Sequence, residues 1–150
     1  MIRYAIRLMF VALTAVCGLG AQPAGFTGQW IEPTGSVIRI DGCGERICMW
    51  VVAISPKAQA TVDIHNPDPA KRTRPLCGLQ IGSGFVVRTP NEARDGTLYD
   101  PKTGKTYHGN IKLDGNNLEL RGFVGIPLFG ESQTWTRLKT PINDCVTGKM

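Results

Sequence analysis

The stretch "KTYHGNIKLDGNNLELRGF", residues 105–123, decides how this chain is built. From Tyr107 onward, Gly109, Ile111 and Leu113 occupy one parity, while Thr106, His108, Asn110 and Lys112 occupy the other. A period of two belongs to an extended strand with one buried face, because successive side chains of a strand point to opposite sides. Asp114-Gly115 follows, a pair suited to the positive φ angles of a tight hairpin turn, and Leu118 and Leu120 then share a face again. The stretch reads as a β-hairpin.

The same grammar extends in both directions. "TGQWIEP" (27–33), "SVIRIDG" (36–42) and "RICMWVVAI" (46–54) precede it, then "LCGLQIGSGFVV" (76–87) and "GTLYDP" (96–101), and "SQTWTRL" (132–138) closes the series. The run from Ile47 to Ile54 is apolar on both parities, which predicts burial of both of its faces over part of its length. No helical period is sustained beyond Phe26. About eight short strands with turn signals roughly every ten residues predict an all-β domain, a small antiparallel barrel or a sandwich. Eight strands close around an interior just wide enough for side chains or one small ligand. The 18 glycines, several inside strands, suit the bends that closure needs, so the barrel is preferred.

The N-terminus is a different object. Arg3 and Arg7 precede an apolar run from Leu8 to Val16, and Gly18, Gly20 and Ala21 follow. This is the order of a secretory signal, with cleavage expected after Gly20. The uncharged stretch is shorter than the roughly 20 residues a bilayer-spanning helix needs. Cys17 raises a lipoprotein alternative, but Val16 stands where a small residue is wanted. The expected organisation is a removed signal at 1–20 and a single domain at 21–150, in the periplasm or secreted. Loss of Arg3 and Arg7 takes the 17 basic residues down by two against 12 acidic ones, a net charge of about +3. That is too sparse for a nucleic-acid footprint.

Loss of Cys17 leaves Cys43, Cys48, Cys77 and Cys145, an even number that in an exported chain reads as disulfides. Three pairings are open. "CGERIC" sets Cys43 and Cys48 at the ends of a tight turn, which favours Cys43–Cys48 and leaves Cys77–Cys145 to clamp the tail. The rival is a zinc site, for which only His65 and His108 could add donors, and no metal or cofactor is expected.

"GQW", "DIHNPDPAKRTRPLCGL", "LYDPKTGKTY", "ELRGFVG" and "QTWTR" occur in this order between Gly28 and Arg137. In these blocks the chain resembles the bacterial exported family known as domain of unknown function 2147. The approach "TPNEARDGTLYDP" departs from the family pattern in lacking a Trp and a Gly-rich lead. The resemblance implies a lipocalin-like barrel of the calycin type, a cup often used to hold small apolar molecules. It also implies that Arg137, on the last strand, covers Trp30, on the first, at the barrel floor. A guanidinium over an indole there is a stabilising device worth about 0.5–2 kcal/mol and names no ligand.

Three segments carry candidate chemistry. In the loop Asp63, Asn66, Asp68, Lys71, Arg72 and Arg74 could gate an anion at the barrel mouth. The preferred reading is structural, with the two aspartates accepting hydrogen bonds from Arg72, Arg74 and backbone amides. Around Tyr99, Asp100, Gly104, Lys105 and Tyr107, acid–base chemistry is weighed against a turn capped by Asp100, and the turn is preferred. "GFVGIPLFG" (122–130) is glycine-rich but apolar and has no phosphate-loop lysine. It is expected at the open end, forming a sticky rim or, preferably, folded inward. His108 falls on a polar strand face and is expected in solvent.

The expected function is a non-enzymatic binder of a small apolar or amphipathic molecule, lined by Trp50, Phe85, Tyr107, Phe123 and Phe129. The alternatives are a solid barrel that docks a protein or cell-wall polymer through its loops, and an enzyme using Asp100 with Lys105 or Tyr107. No nucleic-acid partner and no membrane span after signal removal are expected.

Overall fold

The computed structural model describes residues 25–145, so the signal segment 1–20 and Cys17 lie outside the described residues. Eight strands follow in order: β1 (Gly28–Ile31), β2 (Val37–Cys43), β3 (Arg46–Ala53), β4 (Gln80–Thr89), β5 (Glu92–Asp100), β6 (Lys105–Asp114), β7 (Asn117–Phe123) and β8 (Glu131–Arg137). Each pairs antiparallel with the next, and β8 returns to β1, with Trp30 opposite Arg137 and Ile31 opposite Thr136. The sheet is a closed barrel, and the sandwich alternative falls.

Alternation sets the inside. Ile38 and Ile40 of β2, Ile47, Met49 and Val51 of β3, Ile111 and Leu113 of β6 and Leu118 and Leu120 of β7 form one buried cluster with Trp30, Phe85 and Trp135. The strand face with Thr106, His108 and Lys112 is exposed. β3 is covered on its other face too, but by the chain's own tail. Cys145 donates its amide to the Val52 carbonyl (2.7 Å), and Leu138 donates to the Gln29 carbonyl (2.8 Å). Gln29 clasps the tail from the opposite side, donating to the Ile142 carbonyl (2.7 Å) and accepting from its amide (2.8 Å). Cys77 and Cys145 are joined there, and Cys43 and Cys48 are joined across the β2–β3 turn.

Three expectations change in detail. β4 begins at Gln80 rather than Leu76, because Leu76 and Leu79 sit in a turn, with Leu79 donating its amide to the Leu76 carbonyl. β5 begins at Glu92, four residues before "GTLYDP", because Pro90-Asn91 makes the turn. Glycines inside strands also serve the core as well as bends. A Cβ at Gly96 would lie 2.4 Å from the Phe85 ring, and one at Gly109 would lie 2.6 Å from Leu98. Those two positions are flat so that Phe85 and Leu98 can lie against the wall.

Candidate functional site

The connections alternate between the two ends of the barrel. At one end the turns are short: Gly44-Glu45, Pro90-Asn91 and Gly115-Asn116. That end is closed by Trp30, fully buried, whose indole donates to the Phe26 carbonyl (3.0 Å). The Arg137 guanidinium lies 4.1 Å from the Trp30 ring centroid and donates to the Thr27 (2.9 Å) and Gly25 (2.6 Å) carbonyls. Gly28, at φ 140°, is the only residue type that fits beneath it, since a Cβ there would stand 2.8 Å from Nη1.

The other end carries the long β3–β4 connection, the β5–β6 turn and the β7–β8 loop, and it is open. Beneath them lies a cavity of about 720 Å3. Its wall is apolar: Ile38, Val51, Leu98, Leu120 and Trp135 come from five different strands. Polar side chains gather at the rim, among them Glu32, Lys57, His65, Tyr99 and Lys102.

Part of that rim is tied tightly. Asp63 is fully buried in the long loop. It accepts from the Tyr99 hydroxyl (2.6 Å), Asn66 Nδ2 (2.7 Å) and Arg74, whose Nε and Nη2 stand at 2.9 and 2.8 Å. Burial works to raise the Asp63 pKa, but these donors overcome it and hold the carboxyl below its ordinary range. Burial, together with the hydrogen bond to Asp63 and its charge, pushes the Tyr99 hydroxyl up. The expected stitching of the loop differs in its members. Asp68 accepts from the Ala70 amide (3.0 Å) and pairs with Lys71 (3.3 Å), while Arg72 gives its Nε to the Asn66 carbonyl (2.8 Å) and, among the described residues, to no carboxylate.

The β5–β6 turn docks on the same loop. Asp100 accepts from the Lys102 amide (3.0 Å) and the Thr103 hydroxyl (2.8 Å), closing the turn. Gly104, at φ 70°, then lies under His65: a Cβ there would come within van der Waals overlap of the His65 carbonyl oxygen. Lys102 reaches across the mouth to Glu32 (3.4 Å). Burial works to raise the Glu32 pKa, but hydrogen bonds from the Thr34 side chain and amide, the Lys102 charge and the Ser36 amide leave it lowered.

The residues read from the sequence as a lining divide. Tyr107, Phe123 and Phe129 border the cavity, with Phe123 at the rim, its ring 5.8 Å from that of His108. Trp50 does not reach it. It lies on the outer face of β3, where Arg39 stacks on it at 5.3 Å and also pairs with Asp144 of the tail. Phe85 does not border it either, being packed into the barrel wall against Gly96 near the closed end. Trp135 lines the cavity without having been among the expected residues, although parity places it on the face of Arg137, two residues on.

The segment 122–130 also departs from the preferred reading. Phe129 borders the cavity, but the loop does not fold inward: exposure runs from 54% at Ile126 through 72% at Val124 and 75% at Leu128 to 79% at Phe129. The reason lies in Arg121, whose Nε donates to the Pro127 carbonyl (2.6 Å) and whose Nη2 donates to the Leu128 carbonyl (3.2 Å). These bonds hold the 3-10 turn Pro127–Phe129 outside the wall.

Residues 28–137, the span of this barrel, match the family described as "Uncharacterized protein conserved in bacteria", domain of unknown function 2147. The chain belongs to that family. Among solved structures it is similar to HP1028 from Helicobacter pylori, described as belonging to the lipocalin family. The TM-score is 0.70 at 21% identity, over 75% of this chain and 82% of that one. At that identity the likeness speaks for the fold, an eight-stranded lipocalin-like barrel. No curated protein matches the chain. Among the described residues, no helix of this family member is long and apolar enough to cross a membrane.

Proposed function

We propose that this member of the family is an exported, non-enzymatic barrel that binds one small apolar or amphipathic molecule. The cavity carries the reading. Its volume of about 720 Å3 falls inside the span of roughly 300–1,000 Å3 occupied by small-molecule sites. A largely apolar wall with charged side chains such as Glu32, Lys57 and Lys102 on the connections suits a molecule whose tail is buried and whose head stays wet. The cavity counts against a solid barrel. Against catalysis stands the use already made of the motif carboxylates: Asp63 is spent on Tyr99, Asn66 and Arg74, and Asp100 on its own turn.

Export is supported by the charged, apolar and small-residue order of residues 1–20 and by two disulfides, which persist in oxidising compartments. In this reading residues 1–20 are removed, and the domain works in the periplasm or beyond the cell.

Native mass spectrometry of protein purified from expressing cells tests the proposal, alongside titration with the neutral apolar dye N-phenyl-1-naphthylamine. The expected results are a co-purifying mass of lipid size and saturable binding of one dye per chain. Protein that carries no adduct and takes up no dye overturns it.

A further inference from the structure

We infer that the β7–β8 loop is a docking tip by which the open end of the barrel seats on an anionic lipid bilayer. From Phe123 to Gly130 no residue carries a charge or a polar side-chain atom, and the aliphatic and aromatic groups at its apex are the most exposed large apolar side chains described. An apolar surface of this kind on a folded domain marks a contact. Its chemistry selects the partner. A protein interface is fixed by directional bonds, about one per 100–200 Å2, and this tip offers no side chain to make them. A bilayer asks only for apolar burial.

The backbone is prepared for the same environment. Carbonyls entering the lipid interface without partners are penalised. Here Pro127 and Leu128 give theirs to Arg121, Pro127 also accepts from the Gly130 amide (3.1 Å), and Ile126 accepts from the Phe129 amide (3.3 Å). The guanidinium that satisfies the tip stays beneath it, at headgroup depth.

Charge at this end is complementary to anionic headgroups. Its carboxylates Glu32, Asp63 and Asp68 are each paired with a cation of the loops. Among the described residues, Lys57, Arg72, Lys105 and Arg121 make no ion pair, against Asp100 and Glu131. The open end therefore carries a surplus of unpaired positive charge, which an anionic headgroup layer attracts. Phe129 belongs to the tip and to the cavity border at once, so an apolar tail could pass between bilayer and barrel without crossing water. Docking itself does not depend on the cavity being filled.

Co-sedimentation of the purified protein with vesicles of phosphatidylcholine, with and without phosphatidylglycerol, tests this. The protein is expected to sediment with the phosphatidylglycerol vesicles and to be weakened by salt. Ile126→Ser/Leu128→Ser is expected to lose about a hundredfold in partitioning, since each large apolar side chain contributes about tenfold. Because Ile126 and Leu128 are exposed and neither borders the cavity, this variant keeps the wild-type melting temperature and dye binding, which separates failure of docking from failure of the cavity reading. Failure to sediment with either vesicle overturns the inference. So does sedimentation that the double variant retains, which would assign it to the cations alone.

Discussion

Arg137 and Trp30 form the seal of the barrel: the last strand places a guanidinium 4.1 Å from the indole centroid on the first, and two carbonyls of residues 25–27 hold it there. The pair joins the edges that close the sheet, so its loss acts on closure as well as on one contact. Arg137→Ala is expected to destabilise the fold by about 2 kcal/mol, combining the stacking and the hydrogen bonds. Arg137→Lys should recover little, because an ammonium cannot lie flat on the ring while reaching both carbonyls. Urea denaturation of the three proteins measures this, and a lysine variant of wild-type stability would refute the role of the planar fork.

Asp63 makes stability depend on acid. Its native pKa lies below the ordinary value of 3.8, so the unfolded chain takes up the proton first as pH falls. Its stabilisation is complete above that ordinary value and is lost as pH falls through it toward the native value. Asp63→Asn leaves Arg74 without its buried carboxylate and is expected to cost about 3 kcal/mol at neutral pH. Stability curves between pH 2 and 7 should then converge at the acidic end. Parallel curves would mean that other carboxylates carry the acid response.

The two disulfides close chain segments of very different length, separated by 68 residues for Cys77–Cys145 and by 5 for Cys43–Cys48. In the chain-entropy account the first contributes about 4 kcal/mol and the second about 2. Cys77→Ser/Cys145→Ser should therefore lower the denaturation midpoint more than Cys43→Ser/Cys48→Ser does. It should also free the tail from Gln29 and Val52, seen as faster amide exchange at Leu138, Ile142 and Cys145. The reverse order of midpoints would show that the tail is held by its hydrogen bonds instead.

Gly122 faces the cavity with room beside it: a Cβ there would stand 3.8 Å from Tyr107 and 4.0 Å from Leu98, ordinary contact distances. Gly122→Leu places a branched side chain in the cavity. It is expected to weaken binding of N-phenyl-1-naphthylamine at least tenfold while keeping the melting temperature within a few degrees. Unchanged dye affinity would place the dye elsewhere.

Much of this architecture is local and can be read along the chain. The alternation from Tyr107 to Leu113 marks the inner face of β6, and Asp114-Gly115 marks its turn, because side-chain parity and turn conformation depend on neighbouring residues only. The ends of β4 and β5 were harder to read. Leu76 and Leu79 look like strand residues but form a turn, and Pro90-Asn91 turns the chain where no glycine announces it. Trp50 shows why a lining cannot be listed from apolar residues alone. It is as apolar as Trp135, yet one faces the tail and the other the cavity.

The all-β class, the inner face of β6 and β7 and the turn between them thus follow from the sequence by itself, since a period of two and a two-residue turn are properties of adjacent residues. By contrast β3, apolar on both parities, does not declare its inner face. The tertiary structure alone decided three matters: that the barrel keeps a cavity, that Phe85 lies on Gly96 outside it, and that residues 124–129 stand in water. Each depends on what the closed sheet brings opposite. Volume left unfilled, a flat place for a ring and a guanidinium beneath a loop arise between residues far apart in the chain.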